Sequence, residues 1–327
     1  MVNYIGCADC HDPKTMDLRI TRPALVEAFK SMGKDISKAT HQEMRSLVCA
    51  QCHVEYYFDK HRQDAPEISY LTFPWHKGMT AETALEYYND VKHVDFIHQL
   101  SKTPILKAQH PDYEIFLTGI HAERGVACAD CHMPYVKEGG QKFTSHRIVS
   151  PLANIENTCQ VCHRESEEQL RENVYERQEK VMQIREKAET ELVSAHVEAK
   201  AAWDAGATEQ ELQAPLENIR NAQWFWDYAV ASHGASFHSP LEVARLLGNS
   251  ISETQKARLQ IARILAKHGK IDEIPYPDIA TKAKAQEYIG LKMDELKQEK
   301  EEFIKTVIPK WDEEAKAREA KWTKIEE

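Results

Sequence analysis

The chain has 327 residues, enough for one large domain or two, and a formal net charge of -10. This acidic balance, with a pI near 5.9, argues against nucleic acid as a partner. The sequence contains no run of about 20 apolar residues and therefore predicts no membrane-spanning segment. The first six residues, MVNYIG, have neither the basic nor the apolar region of a secretory signal peptide.

The eight cysteines form four pairs, and each pair is followed at once by a histidine. Two thiols separated by two residues lie about one helical turn apart, and the histidine can turn back toward whatever they hold. This arrangement is typical of covalent haem c attachment. A structural zinc ion would need two pairs to converge and has no use for a histidine behind every pair. The four predicted sites are Cys7, Cys10 and His11; Cys49, Cys52 and His53; Cys128, Cys131 and His132; and Cys159, Cys162 and His163.

Covalent haem is attached outside the cytoplasm in bacteria, so a secretory signal should precede these sites. The first site begins at Cys7, directly after six residues that lack signal features. We therefore expect that the chain has lost its amino-terminal part or that its start is assigned too late.

In the first half of the chain the predicted elements are short. Thr40 and Glu43 can form a capping box that opens a helix leading to the second haem site. Residues 59–80 are rich in Asp, His and Pro and predict a surface loop. A helix is expected over about 81–99, and a Gly-Gly turn lies within residues 138–143. Strand signals are few.

After the last haem site, residues 165–205 predict one long amphipathic helix closed by Gly206, with a narrow apolar stripe that suits packing on a partner helix. Thr208 and Glu211 can cap a second helix that runs to about residue 232. The stripe consists of apolar residues at spacings of three, four and seven: Leu170, Val174, Val181, Ile184, Ala188, Leu192 and Ala195.

A third helix is predicted to open at Ser239 with a cap serine, a first-turn proline and a third-position glutamate, and to end at Gly269. A last helix is expected over about 281–307. We therefore predict a mainly α multihaem cytochrome c with a haem-packed core, long carboxy-terminal helices and few short strands. Residues 1–163 would bind haem, and residues 164–327 would form a helical bundle that carries subunit contacts and one haem ligand, all in one continuous domain.

Four of the 16 histidines are the proximal residues of the predicted haem sites, which leaves twelve. A haem used for electron transfer usually needs a second strong axial ligand, whereas a catalytic haem leaves one face open. His121, His146 and His238 are candidates for the second ligands. Spacing alone does not rank them above several other histidines: His41, His76, His93, His98 and His233.

Three segments carry a resemblance to a known family. Residues 49–58 (CAQCHVEYYF), 101–111 (SKTPILKAQHP) and 222–227 (AQWFWD) resemble the ammonia-forming cytochrome c nitrite reductases, and the resemblance extends to residues 308–309. It implies a soluble periplasmic pentahaem homodimer that reduces nitrite to ammonium with six electrons. Its electron donor would be a cytochrome or a quinol dehydrogenase complex, and its long carboxy-terminal helices would form the dimer contact.

The resemblance also implies a calcium ion beside the active site, bound by side-chain and backbone oxygens of Glu55, Tyr56, Lys107 and Gln109. Oxygen donors of this kind suit a hard cation. Tyr56 and His110 would hydrogen-bond nitrite and its reduced intermediates and deliver protons. A phenol and an imidazole are reasonable proton relays near neutral pH.

For the haem irons, the resemblance pairs each of three proximal histidines with a distal one. His146 would be the distal ligand opposite His11, His238 the ligand opposite His132, and His121 the ligand opposite His163. The distal histidine for the haem at His53 would come from sequence upstream of Met1.

The sequence departs from the family in one respect. The family's catalytic haem is bound at a Cys-x-x-Cys-Lys motif, and the chain contains none. We therefore expect four haems in this chain and five in the complete protein, with an active-site arginine also lying upstream. Two other functions remain open: a four-haem electron-transfer protein or subunit, and a related enzyme that reduces hydroxylamine or another nitrogen oxide.

Overall fold

The computed structural model describes residues 5–60 and 70–322, which divide into two compact units. The larger unit consists of residues 7–272, and residues 273–322 belong to the other. Within the described residues, no helix combines the length and the apolar character that a membrane span requires.

The larger unit is mainly helical, as predicted. Its described strands form three antiparallel pairs: β1 (Tyr57–Phe58) with β2 (Leu71–Thr72), β3 (Phe96–Ile97) with β4 (Pro104–Ile105), and β5 (Tyr135–Glu138) with β6 (Gln141–Thr144). Its described α-helices are α1 (Cys7–Cys10), α2 (Pro23–Ser31), α3 (His41–Ala50), α4 (Ala81–Asp90), α5 (Asp112–Leu117), α6 (Ile120–Glu123), α7 (Cys128–His132), α8 (Glu167–Asp204), α9 (Glu209–Ala231), α10 (Ala235–His238) and α11 (Pro240–Lys267).

Helices α8, α9 and α11 pack together as a bundle. The predicted stripe of α8 faces this bundle, and its members are buried except Ile184, which is half-buried against the core. The long helix ends as predicted, because Gly206 adopts a positive φ of 92°. Thr208 and Glu211 form the predicted capping box of α9. The bundle therefore follows directly from the apolar periodicity of the sequence.

The start of α11 differs from the prediction in one detail. Pro240 occupies the first turn as expected, but the Ser239 side chain does not cap the helix. Its oxygen instead accepts a hydrogen bond of 2.9 Å from the hydroxyl of Thr118, and Glu242 pairs with Arg245. The serine therefore links α11 to the end of α5, in the region that holds the histidines described below.

In the first half of the chain, α3 begins with the predicted capping box of Thr40 and Glu43. The two glycines between β5 and β6 have φ angles of 54° and 81°, as a two-residue hairpin turn requires. Helix α3 packs its apolar face, including Leu47, against Leu25 and the fully buried Trp75. This cluster fixes the helix that delivers the second CxxCH site.

Two predictions for this half were wrong. The helix expected over about 81–99 ends at Asp90, because Lys92 takes a positive φ of 53° and the chain then enters β3. The loop expected over 59–80 contains β2 and the buried Phe73 and Trp75 in its later part, because aromatic packing outweighs the polar composition. The part of that loop at residues 61–69 lies outside the described residues.

In the other unit, the single helix expected over about 281–307 is divided into two helices, α12 (Lys282–Tyr288) and α13 (Met293–Thr306), and a further helix, α14 (Ile308–Trp322), follows. The first break follows from Gly290, whose φ of 75° ends α12. Pro309 lies in the first turn of α14, where its missing N–H costs nothing. Phe303 and Trp311 pack edge to face at 5.4 Å between ring centroids.

Candidate functional site

Three pairs of histidines from distant parts of the chain face one another in the larger unit. Because a metal–imidazole bond is about 2.0 Å long, two rings on opposite sides of one metal atom have centroids about 6 Å apart. The observed separations agree with that value. The pairs are His11 with His146 at 6.0 Å, His132 with His238 at 6.2 Å, and His121 with His163 at 6.3 Å.

The hydrogen bonds of the first pair orient both rings. His11 Nδ1 lies 2.7 Å from the carbonyl oxygen of Met16, and His146 Nδ1 lies 3.0 Å from the carbonyl oxygen of Thr144. Each carbonyl fixes the Nδ1–H tautomer of its ring. The Nε2 atoms therefore remain available to bind a metal.

The backbone packs closely around the second pair. His132 Nδ1 lies 3.2 Å from the Val149 carbonyl oxygen. A Cβ added to Gly234 would lie 2.3 Å from Cε1 of His238, and one added to Gly119 would lie 1.9 Å from its carbonyl oxygen. Burial lowers the pKa of His238 to about 4, and its Nδ1 has no hydrogen-bond partner among the described residues. The ring is therefore neutral and retains an unsatisfied nitrogen, which a bound group would explain.

The third pair joins α6 to the last CxxCH site. Burial and the nearby His163 lower the pKa of His121, so its imidazole is neutral at pH 7. His163 Nδ1 lies 3.9 Å from a carboxylate oxygen of Glu165. A neutral imidazole is the form that binds metals.

Around the second CxxCH site, His53 lies in a cluster of rings. Its centroid is 5.7 Å from that of His110 and 6.2 Å from that of His233, and Tyr56 lies 5.5 Å from His110. His53 and His233 do not face each other across a metal, because Nδ1 of each lies about 3 Å from the same Oδ2 atom of Asp112. Their proximity reflects a shared carboxylate.

Asp112 is held in place from several sides. Its Oδ1 accepts hydrogen bonds from the Ser232 hydroxyl at 2.8 Å and from the His233 backbone N–H at 2.6 Å. Burial raises the pKa of Asp112, but the hydrogen bonds from His53, His233 and Ser232 outweigh burial and hold that pKa below its ordinary value. Ligand atoms of His53, His110 and Asp112 all lie within 4.8 Å of one another, so this cluster is also close enough to contact a cation.

Two residues after His53, the carboxylate of Glu55 is buried. Its Oε1 accepts a hydrogen bond of 2.8 Å from the Tyr88 hydroxyl, and its Oε2 accepts one of 2.7 Å from the Gln109 backbone N–H. The backbone N–H of Glu55 donates to Glu114, a second buried carboxylate, at 2.9 Å. Burial raises the pKa of Glu55 well above its ordinary value and that of Glu114 to about 8. Two acids are thus brought close together in a desolvated site.

Lys107 does not neutralise these two acids. Its ammonium pairs with Asp227 at 2.8 Å, and Asp227 also accepts from the Ala108 backbone N–H at 2.9 Å. The carbonyl oxygen of Lys107 lies 3.5 Å from the amide end of Gln109. Segments some fifty residues apart therefore meet at Glu55, where the Gln109 backbone N–H contacts its carboxylate.

All eight cysteines lie among the described residues, and none of them forms a disulfide bond. Neighbouring sites contact one another: a hydrogen bond between Cys49 and Cys128 lowers the pKa of Cys128 to about 7 and raises that of Cys49. Arg45 of α3 pairs with Asp130, inside the third CxxCH site, at 3.0 Å. The sites are thus spaced closely enough for redox groups on them to be neighbours.

Sequence reasoning assigned no role to Asp112, Glu114 or His233. Asp112 lies one residue beyond the quoted segment 101–111, and spacing could not show that it would meet His53. Asp227 is the last residue of the quoted segment 222–227, and its contact with Lys107 became visible only in the fold.

The cytochrome c552 family profile matches residues 1–321. A cytochrome c-552 of Porphyromonas gingivalis is 62% identical over 318 residues, and one of Bacteroides thetaiotaomicron is 61% identical over 317 residues. Each alignment covers 97% of this chain and 63% of the relative. The chain therefore spans less than two thirds of the length of these relatives.

A solved structure is also similar: the catalytic subunit of cytochrome c nitrite reductase from Desulfovibrio desulfuricans, described for its two calcium sites. The TM-score is 0.74 at 36% sequence identity, and the match covers 83% of this chain and 60% of that one. Because the family profile extends over nearly the whole chain, and because this fold and these relatives agree with it, the chain belongs to the cytochrome c552 family and has the fold of a multihaem cytochrome c.

Proposed function

We propose that this chain is the four-haem part of an ammonia-forming cytochrome c nitrite reductase, a periplasmic oxidoreductase that reduces nitrite to ammonium with six electrons. The observation that carries the proposal is the set of three histidine pairs, each of which brings a CxxCH histidine about 6 Å from a second histidine. Paired imidazoles suit haems that transfer electrons and do not bind substrate. The family's nitrite reductases combine such haems with one catalytic haem.

Within this proposal, the cysteines of each motif attach one haem c by thioether bonds, and the histidine that follows binds its iron. His146, His238 and His121 would hold the haem irons together with His11, His132 and His163. Haem c, when bound, supplies one-electron transfer at an iron whose potential depends on its ligands and surroundings. We propose four haems in this chain and five in the complete protein.

The chain's own residues would bind nitrite and move protons near His53. Tyr56 and His110 lie together, with ring centroids 5.5 Å apart. The phenol can donate a hydrogen bond to an oxyanion, and the imidazole can exchange a proton with it. Burial lowers the pKa of His110, so its neutral form is available to accept and return a proton near neutral pH.

We also propose that calcium binds at Glu55. The chemistry of the donors fits, because the Glu55 carboxylate, the Tyr56 and Lys107 carbonyls and the Gln109 side chain are all oxygen ligands. The charge fits as well. Glu55 and Glu114 are buried close together, Lys107 is occupied by Asp227, and Oε2 of Glu114 has no hydrogen-bond partner among the described residues. A divalent cation would neutralise this site.

The partners belong to the same proposal: nitrite as substrate, a donor cytochrome or quinol dehydrogenase complex as electron source, and a second copy of the protein in a homodimer.

The first test is the intact mass of the native periplasmic protein, with covalent haem counted from the mass excess over the chain and located by peptide mapping. We expect haem on all four CxxCH motifs and ammonium production from nitrite with a six-electron stoichiometry.

A native protein that carries only four haems and reduces no nitrite would contradict this proposal and indicate an electron-transfer protein instead. The axial ligands have a separate test. We expect His146→Ala to convert one low-spin haem to high spin in the absorption spectrum. His41→Ala, at an exposed position at the start of α3, is the matched control and should leave the spectrum unchanged.

A further inference from the structure

The four CxxCH histidines differ in the acceptor that lies next to Nδ1. For His11 and His132 that acceptor is a neutral backbone carbonyl, at 2.7 and 3.2 Å. For His163 the nearest acidic group is Glu165, at 3.9 Å and half exposed. For His53 it is the Asp112 carboxylate at 2.9 Å. Within these four sites, His53 alone has a carboxylate at hydrogen-bond distance.

The Asp112 carboxylate is built into the fold. Its side chain is 12% exposed, and it accepts hydrogen bonds from the Ser232 hydroxyl and from the backbone N–H and ring of His233. The backbone also ties the two segments together, because the N–H of Tyr113 donates to the carbonyl oxygen of His53 at 3.0 Å. Asp112 therefore cannot move away from His53 without breaking contacts on both sides.

A carboxylate in this place has two physical effects on a metal-binding imidazole. It fixes the tautomer with the proton on Nδ1, which leaves Nε2 for the metal, and it increases the basicity of the ring by drawing on that proton. A stronger donor and a nearby negative charge both favour the more positive oxidation state of a bound iron. A backbone carbonyl also fixes the tautomer, but it increases the basicity of the ring less than a carboxylate does.

We propose that Asp112 is a positioning residue for the haem at Cys49 and Cys52, and that it gives this haem a lower reduction potential than a neutral partner of His53 would. His233 and Ser232 support the carboxylate from the other side. The inference rests on the proposed function, since it requires haem at this site. It adds to that function a residue, Asp112, that helps to set the relative reduction potentials of the haems near the proposed nitrite pocket.

The test uses the full haem-loaded protein and the variant Asp112→Asn, which keeps the shape and removes the charge. We expect the ratio of reduced to oxidised haem at this site to rise about tenfold at a fixed potential, which is about 59 mV for a one-electron couple. The measurement is a spectroelectrochemical titration combined with electron paramagnetic resonance, which separates the haems. Glu165→Gln is the matched control, because its carboxylate is more distant from His163, and we expect no resolved shift.

Two further variants keep the inference testable if Asp112→Asn accumulates poorly. Asp112→Glu retains the charge, so the reduction potential of this haem should stay close to that of the unmodified protein. Ser232→Ala removes one donor to Oδ1, which makes the carboxylate a stronger acceptor for His53, so this haem should shift slightly in the opposite direction. A uniform shift of all haems, or unchanged potentials in Asp112→Asn with haem attached at Cys49, would overturn the inference. Peptide mapping that finds no haem at Cys49 and Cys52 in the unmodified protein would overturn the proposed function as well.

Discussion

In the bundle of α8, α9 and α11, long helices bury apolar side chains against one another and against α4, whereas in residues 7–163 short helices and loops carry the cysteines and most of the paired histidines. Ala188, Ile219 and Leu246 of the bundle are fully buried. In the other region, the side chains of His53 and His163 are 58% and 47% exposed. The first region buries apolar side chains along long helices, and the second exposes side chains that can bind or react with other groups.

This difference indicates how each region is stabilised. A bundle with close-packed side chains gains its free energy from apolar burial and loses it when a large side chain is removed. A region of short elements depends more on local clusters, such as Leu25, Leu47 and Trp75, and on what its cysteines and histidines bind. Ligands that bind only the folded state stabilise it by mass action.

The largest expected effect is the removal of Trp224 from the bundle. Its ring is fully buried, packs on Tyr88 and Tyr228, and donates from Nε1 to the Ala81 carbonyl oxygen at 2.8 Å. We expect Trp224→Ala to lower the free energy of unfolding by about 3–5 kcal/mol, since the cavity and the lost apolar burial add. Denaturant titration of the haem-loaded protein measures this.

Trp311→Ala is the control for that prediction, because Trp311 of α14 is 54% exposed. We expect a change within about 0.5 kcal/mol. Equal losses in both variants would show that the bundle core is not the dominant source of stability.

The next largest effect is expected at the histidine pairs. In Gly234→Ala, the new methyl group would lie 2.3 Å from Cε1 of His238, so the ring must move away from His132. We expect a loss of roughly 1–3 kcal/mol from overpacking and, under the proposed ligation, a high-spin signal from one haem. The haem at His11 and His146 is the internal control and should keep its spectrum. A variant with unchanged haem spectra would contradict the pairing of His132 with His238.

The same division explains what could be predicted from the sequence. The apolar stripe of α8 and the capping boxes at Thr40 and Thr208 were correct, because they depend on residues three to seven positions apart. The cap at Ser239 was wrong, because Thr118, which is distant in the sequence, takes its side chain. Local signals are reliable only where no tertiary contact competes for the same atoms.

Local sequence patterns could not predict the histidine pairs or the carboxylate sites, because these depend on contacts between distant residues. Spacing could not rank His238 above His233. In the structure, His238 faces His132 directly, whereas His233 lies near His53 because both contact one carboxylate. The resemblance to known nitrite reductases suggested the partners His121, His146 and His238 because it carries information about the fold. It did not suggest Asp112, whose contact with His53 depends on how two loops meet.

A pH dependence is expected from His196 of the bundle, which stacks on His98 at 3.8 Å and whose Nδ1 lies 2.8 Å from the Ser101 hydroxyl oxygen. Burial, with His98 nearby, lowers the pKa of His196 to about 3. Because the pKa of His196 is lower in the folded chain than in the unfolded chain, its contribution to the free energy of unfolding is fully present above the ordinary histidine pKa. That contribution is lost as the pH falls toward 3. The unfolded chain takes up a proton there and the folded chain does not.

We expect this group to reduce the free energy of unfolding by about 1.4 kcal/mol for each pH unit below about 6.5. Denaturant titrations at several pH values between 7 and 4 measure the slope. In His196→Gln the contribution of this residue should disappear, leaving a shallower slope. Parallel slopes in the two proteins would show that His196 does not control the acid sensitivity of the bundle.

The smallest expected effect tests the outer surface of the bundle. Gly248 lies at an exposed position within α11, and nothing lies within 4 Å of a Cβ added there. Gly248→Ala should therefore raise the free energy of unfolding by about 0.5–1 kcal/mol, because alanine loses less backbone freedom in a helix. If the variant is instead less stable, and more so at high protein concentration, this face of α11 is covered by a second copy of the protein. The measurement would then locate the contact of the proposed homodimer on the bundle rather than on the haem-binding region.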